Sequence, residues 1–262
     1  MLRSEKGHFP SSQAPKITGF QSFSREWQPQ MQAAETRVMP RQARLVIPNV
    51  PHHIYLRGNN RRRLFSTNAD RTRFIGCLAR GLETSASRLH QLTLMENHVH
   101  MIAVPPGPDA LRVLIHRTCL RYAQVRNHAR DATGKLFEER FHSKPILDDA
   151  YLATATIYND VNAYRAGVVT DPLGHLWSTG PLHAGRTSMV PRDLWTPSAW
   201  YLALGATTAE RATRYCETVA AHVRASSTEP GSARAPRYRL RVERPDGTSA
   251  RDGEPLWLPK AE

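Results

Sequence analysis

The order of apolar and polar positions along the chain predicts alternating strands and helices. His52-His-Ile-Tyr-Leu-Arg57 reads as a strand, and Gly58-Asn-Asn-Arg-Arg-Arg63 follows as a basic turn. Thr67-Asn-Ala-Asp70 reads as a helix start with Asp or Asn as cap, and Phe74, Ile75, Leu78 and Leu82 then share one face to about Ser85. From Arg88 to Met95 a second strand puts Leu92 and Leu94 on one side and Gln91 and Thr93 on the other. Glu96-Asn97 is a tight connection into a third strand, which runs to Val104, so the two form a hairpin. A long helix is predicted over Asp109–His128, with Leu111, Leu114, Ile115 and Tyr122 apolar and Arg112, Arg117, Arg121 and Arg126 on the other face. Lys135 to Ile146 reads as extended. Asp148 or Asp149 caps a helix over about Ala150–Tyr164, closed by Gly167. After a turn-rich stretch, Ser198–Leu204 and Thr208–Val223 are helical, separated by Gly205.

The order strand, helix, strand, strand, helix, strand, helix argues an α+β fold. It is that of a ferredoxin-like or RRM-like, mostly antiparallel sheet with helices on one face, plus a small C-terminal helical extension. Four spans follow: 1–38, rich in Gln, Ser and Pro and read as a disordered arm; 39–180, the main domain; 181–226, the extension; and 227–262, a flexible tail. Met39 offers an alternative start, and the oligomeric state is open between monomer and homodimer.

Charge alters this picture more than composition does. The formal net charge is +13, which favours polyanions as partners. Between Thr36 and Ala69 there is no acidic residue, while Arg37, Arg41, Arg44, Arg57 and Arg61–Arg63 all fall there. The three cysteines, Cys77, Cys119 and Cys216, form no Cys-x-x-Cys pair, which excludes a zinc ribbon or disulfide framework and suits reduced thiols in the cytoplasm. No run reaches the roughly 20 apolar residues of a membrane span, so no membrane partner is expected, and the N-terminus has no secretory h-region.

The candidate chemistry begins at His98-Val99-His100. Strand side chains alternate, so both imidazoles leave one face of the sheet, as half of a metal site would require; a pair of hydrogen-bonding histidines fits the same spacing. Tyr151, Ala155, Tyr158 and Asn162 share one helix face and set a phenol one turn from a carboxamide. Packing and a helix-end hydrogen bond account for those two groups equally well. His52-His53, with no thiol or carboxylate cluster beside it, reads as structural.

The motifs taken together resemble a known family. His98-Val99-His100, within Met95-Glu-Asn-His-Val-His-Met-Ile102, is similar to the His-hydrophobe-His motif of single-tyrosine HUH transposases. Met39-Pro-Arg-Gln-Ala-Arg, Pro51-His-His and Arg57-Gly-Asn-Asn-Arg61 look like the opening of the REP-associated tyrosine transposases. Phe137-Glu-Glu-Arg140 resembles their Trp-Glu-Gly-Arg, Tyr158-Asn-Asp-Val-Asn162-Ala-Tyr-Arg-Ala-Gly167 their Tyr-Ile-x-Leu-Asn-Pro-Val-Arg-Ala-Gly, and Trp177-Ser178 the Trp-Ser that follows. The likeness covers about 39–180. Ala163, Tyr164, Phe137 and Glu139 depart from the family pattern, and none of these departures removes a reactive group.

The resemblance implies an enzyme that cleaves and rejoins single-stranded or hairpin DNA through a covalent 5′-phosphotyrosine. Tyr158 would be the nucleophile, and His98, His100 and Asn162 the ligands of a divalent cation, Mg²⁺ or Mn²⁺. A free tyrosine, with a pKa near 10, needs such assistance at neutral pH. Arg57, Asn60, Arg61, Arg62, Arg63, Arg140, Lys144 and Arg165 are the candidates for contact with the DNA backbone. Two other readings stand beside this one: a non-catalytic, domesticated hairpin-binding protein, and a metal-dependent hydrolase that uses water.

Overall fold

The structure, a computed structural model, describes residues 45–138 and 141–227. The arm over 1–38, Met39, Arg140 and the tail beyond 227 lie outside the described residues. Four strands, β1 (His52–Arg57), β2 (Arg88–Leu94), β3 (His98–Val104) and β4 (His142–Pro145), form one antiparallel sheet in the order β2-β3-β1-β4. Helices α1 (Asn68–Ser85) and α2 (Ala110–His128) make the two crossovers, so the expected α+β fold is observed.

Strand alternation splits β1 between two environments. Ile54 and Leu56 join Leu92, Val99 and Met101 in the core under α1 and α2, where Phe74, Leu78, Leu111 and Leu114 are fully buried. Truncating a core aromatic such as Phe74 to alanine costs about 3–5 kcal/mol by the usual cavity and transfer terms. At Gly81 the helices approach so closely that a Cβ would lie 2.5 Å from Thr118 Oγ1.

Helix α1 is capped by Thr67, not by Asp or Asn. Thr67 Oγ1 accepts from Asp70 N at 3.1 Å while the Asp70 carboxylate accepts from Thr67 N, a reciprocal pair that satisfies two otherwise orphaned donors. Arg126 also departs from expectation: it is 8% exposed and donates to the carbonyls of Leu64 and Arg63, so it anchors the loop before α1 instead of lining a basic face.

The opposite sheet face carries α3 (Asp149–Asp160), capped by Asp148. The expected single helix to Tyr164 is broken: Val161 leaves helical geometry at φ −86, ψ 2, and α4 (Asn162–Arg165) follows. Gly167 (φ 69) closes this segment in a left-handed conformation that glycine adopts without strain. Beyond it come α5 (Gly180–His183), α6 (Ala199–Leu202) and α7 (Thr208–Ser227). Ile157, Val161 and Leu173 pack with Leu182, Trp195, Tyr201, Tyr215 and Val219 into a second core, so these later helices hold α3 from behind. The outer edge of β2 is covered too, by a bridge from Thr93 to Ser178 and one from Leu89 to Trp195, which removes a free strand edge.

Candidate functional site

The site lies on the sheet face away from α1 and α2. Register places His53, Tyr55 and Arg57 of β1 beside Ile102, His100 and His98 of β3, and His142 and Lys144 of β4 beside Tyr55 and His53. Side chains on one face at directly opposed or diagonal positions are within reach of one another. The His100 ring lies 5.0 Å from His98 and 5.0 Å from Tyr55 between centroids, and His53 Nε2 is 3.3 Å from His100 Nδ1.

Helix α3 brings the phenol to the histidines. The Tyr158 ring stands edge-on to His100 with centroids 6.4 Å apart, and the Arg165 guanidinium lies 5.2 Å from the Tyr158 ring centre. The Asn162 carboxamide stands close enough to His98 to favour its protonated form. The structure therefore gathers Tyr158, His98, His100 and Asn162, even though the helix break at Val161 separates the phenol from the carboxamide.

Each imidazole is oriented from outside. Asn97 Nδ2 donates to the Arg61 carbonyl at 3.2 Å, which turns its Oδ1 toward His98 Nδ1 at 2.7 Å. Since that oxygen can only accept, His98 carries its proton on Nδ1 and its lone pair on Nε2. Burial, helped by the Arg57 charge and opposed by the nearby Asn162 carboxamide, pushes the His98 pKa down to about 4. Burial likewise lowers His53 to about 4, against the raising effect of the nearby Asn159 carboxamide, and lowers His100 well below the ordinary value, with His98 and His53 adding to the effect. All three rings are neutral at neutral pH, the state in which imidazole can ligate a metal. Among the described residues no group of three or more His, Cys, Asp or Glu side chains is arranged to hold a metal ion.

The end of α3 is fixed by a buried carboxylate. Asp160, 1% exposed, accepts from His183 Nδ1 and the Tyr215 hydroxyl, each at 2.7 Å, on Oδ2. Its Oδ1 accepts from Gln91 Nε2 at 3.1 Å and Ser178 Oγ at 3.2 Å. Burial and the Asp160 charge hold the Tyr215 phenol well above its ordinary pKa. Asp160 lies two residues from Tyr158 and two from Asn162, so it pins the segment that carries both.

The basic candidates are distributed unevenly. Asn60 and Arg61–Arg63 are exposed in the turn after β1, where Asn60 and Arg61 have positive φ values of 52 and 57. Arg63 pairs with Glu96 and Arg62 donates to the Lys135 carbonyl, so the run lacks acidic neighbours in sequence but not in space. Arg57 is half-buried and 4.0 Å from Glu138. Lys144 is exposed on β4 and lies 5.1 Å from the Tyr151 ring centre, while Arg165 is exposed beside Tyr158. Arg140 falls outside the described residues.

Sequence reasoning passed over Tyr55, Asn97, Asn159 and Asp160, and read His53 with His52 as one structural pair. Alternation along β1 was the available signal for His53 and Tyr55, because it separates His53 from His52, whose ring turns away to the Val50 carbonyl at 2.8 Å.

No family model matches the chain, and no curated protein does. Among solved structures, a REP-associated tyrosine transposase bound to a REP hairpin is 16% identical, with a TM-score of 0.49, over 61% of this chain and 93% of that one. A candidate transposase from Deinococcus radiodurans is 14% identical, with a TM-score of 0.33, over 44% of this chain and 92% of that one. The first of these carries the name of the family that the sequence motifs resemble.

Proposed function

We propose that the protein is a DNA strand transferase, a transposase whose nucleophile is Tyr158 and whose substrate is single-stranded or hairpin DNA. The observation that carries this reading is the convergence of Tyr158, His98, His100 and Asn162 on one sheet face. The Tyr158 phenol oxygen attacks the phosphorus of a phosphodiester and the P–O3′ bond breaks. The phenolic proton leaves to solvent, the departing 3′ oxygen takes up a proton, and the 5′ phosphate stays on Tyr158. One phosphoester replaces another, so a 3′-OH can reverse the step and rejoin strands without ATP.

The donor set suits a divalent cation, Mg²⁺ or Mn²⁺, held by His98, His100 and Asn162. Two buried neutral imidazoles offer nitrogen, the carboxamide offers oxygen, and His98 is already turned by Asn97 in the way that metal-bound histidines are turned by their outer partners. Such an ion would polarise the phosphate oxygens and offset charge in the transition state. The Arg165 guanidinium beside the Tyr158 ring adds positive charge where the phosphate would lie. Arg57, Asn60, Arg61, Arg62 and Lys144 supply contacts to the DNA backbone, with Arg63 held back by Glu96.

The test is a labelled hairpin oligonucleotide incubated with the protein and Mn²⁺, then run in SDS. The expected result is an SDS-resistant adduct that is absent in Tyr158→Phe, while hairpin binding is retained. Binding with no adduct in the wild type returns the hairpin-binding reading. Free 5′-phosphate ends that survive Tyr158→Phe return the hydrolase.

A further inference from the structure

Tyr55 lies at the centre of the site and takes no part in the chemistry proposed there. Its ring stands 5.0 Å from His100, 5.5 Å from His98 and 6.2 Å from His142 between centroids, tilted to them by 51°, 42° and 46°, so none of the three imidazoles is stacked flat against it. Helix α3 packs mainly over β2 and β3, and on the half of the face formed by β1 and β4 Tyr55 is half-buried and His142 exposed. Cations frame the ring. Arg57 follows it on the same face of β1, Lys144 sits diagonally across on β4, and Arg61 is near enough for its charge to act on the phenol, as the Glu138 carboxylate and Tyr158 do. Tyr158 and Tyr55 also border one imidazole, His100, at 6.4 Å and 5.0 Å.

An aromatic ring bordered by cations on an antiparallel sheet is a common means of holding single-stranded nucleic acid: the ring stacks an unpaired base and the cations follow the backbone. We propose that Tyr55 is a base-stacking platform for the nucleotide next to the phosphodiester at Tyr158, with Lys144 and Arg57 on the flanking phosphates and His142 on its β4 side. The proposal rests on the proposed function for the identity of the ligand, DNA, and for the place of the scissile phosphate. Stacking itself is a binding event and needs neither the cation nor cleavage. Because every base has a π-face, the platform fixes where the strand lies more than which base it carries.

The test measures binding of the full chain, in chelator, to hairpin oligonucleotides with a single-stranded extension in which each unpaired nucleotide in turn is made abasic. One abasic position should weaken wild-type binding roughly 5- to 150-fold, the contribution of one base stacked on an aromatic ring. Tyr55→Leu, which keeps an apolar side chain but no ring, should weaken binding of the intact hairpin by a like factor and lose its sensitivity to that one position, with no change in the salt dependence. Tyr55→Phe should bind as the wild type does and keep the sensitivity. A scan of the wild type in which no abasic position matters overturns the platform without any variant. So do losses that simply add when Tyr55→Leu meets the abasic strand, which would assign the base to another residue. Coupling between Tyr55 and one base with no SDS-resistant adduct in Mn²⁺ counts against the transferase and leaves the platform standing; an adduct without the coupling does the reverse. A wild type that binds none of these oligonucleotides removes both.

Discussion

Tyr215→Phe isolates one hydrogen bond in the buried cluster that holds the end of α3. The hydroxyl donates to Asp160 Oδ2 at 2.7 Å, and Tyr215 is fully buried. The ring itself stays packed, stacked on His183 at 4.9 Å and edge-on to Trp200 at 6.0 Å, so the apolar contribution is unchanged. A hydrogen bond to a charged group contributes about 1.5–3 kcal/mol. For a domain of this size 1 kcal/mol shifts the melting temperature by roughly 2–4 °C, so the expected fall is about 3–12 °C. Asp160→Ala strands four donors at once and should cost more, about 3–5 kcal/mol, as the removal of one partner from a buried charged pair does. In Asp160→Ala the Tyr215 hydroxyl has already lost its acceptor, so adding Tyr215→Phe should cost nothing further and the double variant should be at least as stable as Asp160→Ala alone. Thermal and urea denaturation followed by circular dichroism measures all three. A Tyr215→Phe protein that melts within a degree of wild type, or effects that simply add, would refute the argument.

Three further outcomes follow from the site and its surroundings. His53, His98 and His175 are held near 4 and His100 well below its ordinary value, mainly by burial; because the unfolded chain takes up these protons near 6.5 and the folded chain does not, stability should fall as pH drops from about 6.5 toward 4, by up to a factor of ten in the folding constant per pH unit for each histidine. Urea denaturation in chelator checks this, and a flat profile over that window would contradict the burial of the rings. His98→Ala, or addition of EDTA, should stop adduct formation in the hairpin assay, and undiminished cleavage in chelator would remove the metal from the proposal. Replacing Arg61 and Arg62 together by alanine should weaken hairpin binding and lower the slope of log K against log salt by about 0.7 for each phosphate of single-stranded DNA that the turn no longer neutralises; an unchanged slope would exclude the turn from the interface.

The local pattern of the chain was informative wherever neighbours in sequence are neighbours in space. Strand alternation put His98 and His100 on one face, and helical spacing recovered the apolar sides of α1 and α2 and the glycine that closes the segment after Asn162. It misjudged Arg126, whose helical position suggests solvent but whose guanidinium meets two carbonyls of the loop before α1. It missed the break at Val161, where the segment is packed against Leu182, Trp195 and Tyr215, all distant in sequence.

The resemblance to a known family chose Tyr158 and Asn162 as companions of the histidines; from the residues alone came the order of strands and helices, the shared face of the two histidines, and the one-turn spacing of the phenol and the carboxamide. Periodicity is a local property, and each of those statements needs only local geometry. Tertiary structure decided which side chains surround that face: the register of β1 on β3 that sets His53 against His100, the turn whose carbonyl orients Asn97, and the helix α7 that delivers Tyr215 to Asp160. Those neighbours depend on pairings between segments far apart in sequence, where a one-residue slip in register sends every side chain of a strand to the other face.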